Sequence, residues 1–513
     1  MTSDDRALSD ERTLRLRAEE RLAQEVDRTK LWRRRAEERQ ARIESLEERL
    51  RREERRPRIV RWVTGLRRAV ISSSDTASEP APRMPDQSAS PRPRLASVSV
   101  AALADHPAIA PVLDEATKLD PVADPGVLAS ADVVVIDEGG WSRLDGDGRD
   151  TLRAALSGAG RPPLVVWTEV GDIPELSDQA VATVNHRPGP ANRFLPGSYH
   201  RRPPRLEGQD ALFVTAEDLA MPSAALITEA SRGRPVMLGS HESDAAVAAH
   251  QALRWAFRHH RPSRRLGQLL DLVGVAHPDP TPSVAAILVS NRPELIQDAM
   301  NRLARQTWRP TEIIVGLHGF DDPGLRPPAE DIPIRILGFD ERLTLGECLN
   351  RAIESTPSDL VAKIDDDDHY GPAYLEDAVR DLDSSGNPIV GKATVYAYLS
   401  SDDTTVLRRP GTEHRRLDGT MGGNTFVMER SVWEAVPFPH RPRFVDTIFL
   451  TAARRLGFTA YSGSRFEFCA VRHGAAHTYA ASDTMLAAGS DPAWSGFHPE
   501  RAFVPDLEAT VSA

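Results

Sequence analysis

Between Val284 and Asp368 short apolar runs alternate with stretches of helical spacing, and each apolar run stops at a turn or a polar cluster. Val284 to Ser290 reads as a buried strand that stops at the turn Asn291-Arg292-Pro293-Glu294. Leu295 to Leu303 has helical spacing, and Pro310 breaks the chain ahead of a second strand, Thr311 to Val315. A further helix, Leu345 to Ile353, leads to a strand from Val361 that ends in four consecutive carboxylates, Asp365 to Asp368. Strand, helix, strand in this order predicts an open α/β sheet of the nucleotide-binding kind, whose ligands gather at the carboxyl ends of the strands. Asn291 and the four aspartates both fall there.

Four adjacent anions repel one another, and holding them near a strand end costs several kcal/mol unless a hard cation or basic side chains offset the charge. Mg²⁺ or Mn²⁺ fits, because such an ion is commonly held by one or two carboxylates and completed by substrate phosphates. The plainer alternative is a solvated acidic turn.

The order Ser-Asn-Arg-Pro-Glu, Leu-Ala-Arg-Gln-Thr-Trp-Arg-Pro-Thr-Glu-Ile-Ile-Val, Gly-Glu-Cys-Leu-Asn-Arg-Ala-Ile and Ile-Asp-Asp-Asp-Asp resembles the family 2 glycosyltransferases of GT-A fold over roughly residues 283 to 475. That resemblance implies inverting transfer of a sugar from a nucleotide-diphosphate donor to a glycan or lipid-linked acceptor hydroxyl, with Mn²⁺ or Mg²⁺ on the diphosphate. It implies Ser290, Asn291, Arg292, Asn350, Asp365 and Asp366 on the donor and Asp365, Asp367, Asp368 and His473 around the metal. Asp446, in Phe-Val-Asp-Thr-Ile-Phe-Leu, matches the family's Glu-Asp motif and takes the role of general base, with Val445 in place of the usual Glu. Gly422, Gly423 and Asn424 match the acceptor-side loop. Each has a plainer reading: Asp446 as a helix cap, the glycines as an ordinary turn, His473 as a surface group. The chain departs from the pattern after the second strand, where Gly316-Leu317-His318-Gly319 stands in place of an acidic pair that contacts base and ribose.

The remaining chain surrounds this unit. At 513 residues it suggests two globular domains plus extensions. Residues 8 to 56, rich in Arg, Glu, Leu and Ala, predict a long helix, either a weak coiled coil able to form a homodimer or a lone solvated helix. From Arg58 to Ile71 apolar and arginine residues interleave, as in a basic helix on the inner face of the cell membrane or one that caps the coiled coil or docks on a domain. The expected division is 1–71 helical arm, 72–94 tether, 95–275 smaller Rossmann-like α/β domain, 280–482 GT-A domain and 483–513 tail. Within the middle domain, the segment from Ala225 to Met237 and the later His259 to Leu270 resemble the donor half of spore-maturation-type GT-B glycosyltransferases, which points loosely to Glu229 as a ribose contact.

A net charge of −11 gives no reason to expect nucleic acid. Two cysteines imply no disulfide framework, and no secretory or membrane-spanning stretch is expected, so the reading is a cytoplasmic protein. The alternative function is a catalytically weakened scaffold that binds glycan-assembly partners through its coiled coil.

Overall fold

The computed structural model describes residues 95–507 apart from 105–108, 122–124, 158–160, 169–172, 177, 186–192, 195–210, 221, 223, 239–243, 442–443, 473–485 and 488. The expected arm and tether, His473 and the last six residues lie outside the described residues. No helix among those described is long and apolar enough to cross a membrane.

Strands β1 (Leu95–Leu103), β2 (Ala116–Leu119), β3 (Val133–Asp137), β4 (Leu164–Thr168), β5 (Ala180–Asn185) and β6 (Arg193–Phe194) form a parallel sheet in the order β2-β1-β3-β4-β5-β6. Every residue of β3 and β4 is buried, which is why both read as unbroken apolar runs. Helix α1 (Gly146–Leu156) covers one face with Leu152 and Leu156. A short parallel pair follows, β7 (Leu212–Val214) and β8 (Val236–Leu238), with helix α2 (Ala224–Ser231) between them.

Helices α3 (Ala245–His260) and α4 (Pro262–Leu272) then meet at Arg261-Pro262, the proline taking the first position of the second helix. They serve different cores. Leu266, Leu269 and Leu270 of α4 pack under the first sheet with Leu95, Val100 and Trp167. Ala252, Trp255 and Phe257 of α3, together with Ile227 and Val236, pack into the core of the next sheet.

The α3 attachment is also ionic. Arg254, 2% exposed, reaches Asp377 at 3.1 Å, Glu467 at 3.0 Å and the Val504 carbonyl at 2.7 Å. His250 lies 2.7 Å from Asp377, and burial drives its pKa down to about 3 against the pull of that carboxylate. Arg258 forks onto Glu376 at 2.8 and 2.6 Å.

The larger body contains β9 (Val284–Ser290), helix α5 (Pro293–Leu303), β10 (Glu312–His318), β11 (Ile334–Phe339), helix α6 (Leu345–Glu354), β12 (Leu360–Ile364), β13 (His369–Tyr370) and helix α7 (Tyr374–Ser385). It continues through β14 (Ile389–Gly391), β15 (Val395–Leu399), β16 (Thr404–Arg408), β17 (Arg415–Arg416), β18 (Val427–Glu429), helix α8 (Val445–Arg455), β19 (Ala460–Ser462), β20 (Phe468–Arg472) and β21 (Ser490–Ser495). Its main sheet runs β11-β10-β9-β12-β18-β14-β19-β17, parallel from β11 to β12. A smaller sheet runs β13-β20-β15-β16-β21.

The 483–513 segment contributes the edge strand β21, and Ala502, Val504 and Leu507 are buried. Pro492 fits an edge, where no neighbour needs its missing N–H.

Candidate functional site

β9, β10 and β12 end side by side, and the carboxylate run leaves the tip of β12. Every residue of β12 is buried, Lys363 included, so the strand delivers a charged side chain and then the aspartates from inside the sheet. Asp366 accepts a hydrogen bond from the Ser290 hydroxyl and a fork from Arg292, whose third nitrogen reaches Asp367 at 2.8 Å. Burial raises the Asp366 pKa, opposed by Ser290 and Arg292. The turn after β9 is thus tied to the tip of β12, with Ser290 also accepting from the Arg292 backbone N–H at 2.8 Å.

Asp368 points the other way. Its carboxylate accepts from the Asn424 amide and from the Val471 N–H of β20, the latter at 3.0 Å. Burial, with Asp367 and Asp365 close by, pushes it up to about 7. The Tyr370 hydroxyl accepts from the Asp365 N–H at 2.9 Å and donates to the Asn424 carbonyl at 2.7 Å, fixing the run against the 422–424 loop.

Asp446 sits in the first turn of α8, and the glycine loop presses onto it. A Cβ built on Gly423 would overlap the Asp446 carboxylate, so this position is a close approach of backbone to side chain, not merely a turn. Lys363 joins Asp446 to the aspartate run: Nζ donates to Asp365 at 2.6 Å and lies 3.8 Å from Asp446 Oδ1. Burial pulls the ammonium down, but Asp365 and Asp446 outweigh it and hold it above its usual value. Burial raises Asp446, with Lys363 opposing. At 3.8 Å the ion pair is not a hydrogen bond, and Oδ1 is buried with no hydrogen-bond partner although the side chain as a whole keeps 31% of its surface.

The structure therefore brings Ser290, Arg292, Asp365 to Asp368, Gly423, Asn424 and Asp446 together. Asn291 is exposed beside them and Gly422 begins the loop, its carbonyl accepting from Thr425. Asn350 is turned elsewhere: its amide donates to the Phe438 carbonyl and accepts from Trp433 Nε1 and the Phe438 N–H, all at 2.9 Å, so both ends brace the segment before α8. Glu229 pairs at 3.3 Å with Arg232 and Arg234, just past the end of its own helix. Sequence reasoning left Lys363 without a place; an apolar strand with a single lysine two residues before an aspartate run was the available signal.

The departure falls in the last residues of β10, where a side chain at Gly316 would meet Phe339 and Val289 and His318 shares a hydrogen bond of 2.9 Å with the Leu343 carbonyl. The packing leaves no room for an acid at 316.

The donor set is all hard oxygen, which suits Mg²⁺ or Mn²⁺. Among the described residues no group of three or more ligating side chains forms a cage. The arrangement fits an ion held by Asp365 and Asp367, whose side chains are 38% and 12% exposed, with other ligands from a diphosphate.

Residues 285–433 match the family model described as Glycosyl transferase family 2. The α/β architecture, with parallel strands leading into a mixed sheet, is the GT-A arrangement expected of that family. Among solved structures, TarS 1-349 of S. aureus in complex with UDP is 15% identical with a TM-score of 0.31, covering 37% of this chain and 60% of that one. The same protein in complex with UDP-GlcNAc is 16% identical at a TM-score of 0.33, covering 39% and 61%. The mannosyltransferase PcManGT of Pyrobaculum calidifontis in complex with GDP-Man and Mn²⁺ is 19% identical at 0.29, covering 39% and 60%. The chain thus spans about three-fifths of the length of these structures. No curated protein matches it.

Proposed function

We propose that this chain is an inverting glycosyltransferase that moves a sugar from a nucleotide-diphosphate donor onto an acceptor hydroxyl in glycan synthesis. The observation that carries the reading is the juxtaposition of Asp446, with its buried unpartnered Oδ1, and the aspartate run at the end of β12 across a single lysine. The Asp446 side chain keeps 31% of its surface, so a hydroxyl that reaches its carboxylate can donate a hydrogen bond to it and then surrender the proton.

In this reading Asp446 takes the acceptor proton as the new bond forms at the anomeric carbon and the bond to the diphosphate oxygen breaks. Burial raises its basicity, and Gly423 fixes its position. Arg292 and Lys363 place two positive charges beside the aspartates and the departing phosphates. Asp365 and Asp367 would hold Mg²⁺ or Mn²⁺, which when bound supplies charge neutralisation for the diphosphate. Ser290 keeps Arg292 and Asp366 aligned.

The test is a screen of nucleotide sugars and acceptors with Mn²⁺, followed by Asp446→Asn. Transfer should fall by roughly 10²–10⁴-fold with donor affinity retained. A scaffold of glycosyltransferase fold has no transfer to lose, and unchanged transfer in the variant would move the base elsewhere.

A further inference from the structure

Each of the two carboxylates expected on the metal is already held by a cation of the chain itself. Lys363 donates to Asp365 at 2.6 Å, and Arg292 donates to Asp367 at 2.8 Å while forking onto Asp366. The two cations differ in their freedom. The Lys363 side chain is 4% exposed and lies between Asp365 and Asp446, so it has no other place to go. Arg292 keeps 35% of its side-chain surface, and its backbone N–H is held separately by the Ser290 hydroxyl at 2.8 Å. Its guanidinium can therefore swing outward while the turn after β9 stays in place. Asp366 would then keep the Ser290 hydroxyl as a partner.

We propose that Arg292 is an exchangeable counter-ion: it occupies Asp367 until a diphosphate arrives, then moves onto the phosphates and yields that carboxylate to the divalent ion, so that ion and diphosphate bind tightly only together. The proposal rests on the transferase reading above. Two physical arguments select this behaviour. A divalent ion on Asp367 would share the carboxylate with a guanidinium and be repelled by it, and burial of the neighbouring aspartates weakens the screening of that repulsion. A guanidinium that forks onto a carboxylate also matches a phosphate in the same bidentate way, so the exchange replaces its hydrogen bonds in kind. Lys363 stays behind in the exchange and keeps Asp365 beside Asp446. By linkage the two ligands raise each other's affinity by one common factor, and Arg292 is the residue that sets it.

The experiment uses the full chain. Mn²⁺ affinity is measured by electron paramagnetic resonance without nucleotide, and the affinity for UDP, GDP and ADP by calorimetry at saturating Mn²⁺. Arg292→Gln should bind Mn²⁺ alone about tenfold more tightly than the parent, and should bind the nucleoside diphosphate that the parent accepts about tenfold more weakly. The opposite signs carry the test, since a side chain that only braced the turn would weaken both affinities when removed. Arg292→Lys keeps a charge but cannot fork, so it should fall between the two proteins on both measures, and it serves if the glutamine variant does not fold. Arg302→Gln removes a neighbouring positive charge that donates to the Asp366 carbonyl and to no carboxylate, and should tighten Mn²⁺ far less. Parental Mn²⁺ affinity in Arg292→Gln, a loss of both affinities, or equal tightening in Arg302→Gln overturns the exchange while leaving the donor reading intact. A parent that binds none of the three nucleotides at saturating Mn²⁺ overturns the donor reading and the exchange with it, so the two failures are told apart.

Discussion

Adding one methyl group at Gly423 tests the assembly of the base more sharply than removing the base. The alanine Cβ would overlap Asp446 at Cγ, Oδ2 and Cβ, atoms near the root of a side chain in the first turn of α8. Relief therefore needs movement of the carboxylate or the loop, not rotation of a flexible tip. Restoring an ordinary van der Waals separation of 3.4–4 Å shifts one against the other by more than about 1 Å. Misplacement on that scale costs about 10²-fold in rate, and the overpacking costs roughly 1–3 kcal/mol of stability. Gly423→Ala should thus lower transfer about 100-fold while nucleoside diphosphate affinity stays within about twofold of the parent. Combined with Asp446→Asn it should lose little more than either change alone, because both disable the same group. Steady-state transfer and calorimetric donor binding on the four proteins measure this. Transfer at the parental rate in Gly423→Ala would refute the reasoning, as would full additivity with Asp446→Asn.

Asp365→Asn with Asp367→Asn should abolish Mn²⁺-dependent nucleoside diphosphate binding; calorimetric affinity equal to the parent's would show that the ion is held elsewhere. Asp368 retains its proton up to about pH 7 in the folded chain but would lose it near 3.8 when unfolded. Between those values the folded state binds the extra proton, so its stabilising contribution is complete below pH 3.8 and is lost as pH rises through 7, by up to about 1.4 kcal/mol per pH unit. The metal-free parent should accordingly lose Tm relative to Asp368→Asn from about pH 4 to 7; a constant difference would contradict the assignment.

Much of the centre was legible because its parts carry local signatures. A buried strand that ends in four aspartates marks a charged site at its tip, and glycines mark places where backbone can approach a ligand or side chain. The contact of Gly423 with Asp446 joins elements more than twenty residues apart, so its spacing announces nothing, although both residues were singled out. Asn350 shows the opposite limit: an asparagine on a helix looks the same in sequence whether its amide faces a nucleotide or, as here, Trp433 and Phe438. Strand β11 went unread because its outer positions are half exposed at the sheet edge, blurring the apolar run, and β21 because proline and serine hide an edge strand. The docking of α3 was hidden for a third reason. Arg254, Arg258 and His250 look like a polar face until Glu376 and Asp377 of α7 and Glu467, just before β20, come to meet them.

That docking bears on how such a protein can be inherited. A gene fragment beginning near codon 280 would encode the whole of the larger sheet yet leave Glu467 without Arg254, and Asp377 with Arg380 as its remaining guanidinium. Recombination that joins this half to a foreign partner is penalised unless the newcomer brings its own guanidinium to the same place. The charges inside the seam act as a lineage lock, and the two halves should be found to travel and diverge together.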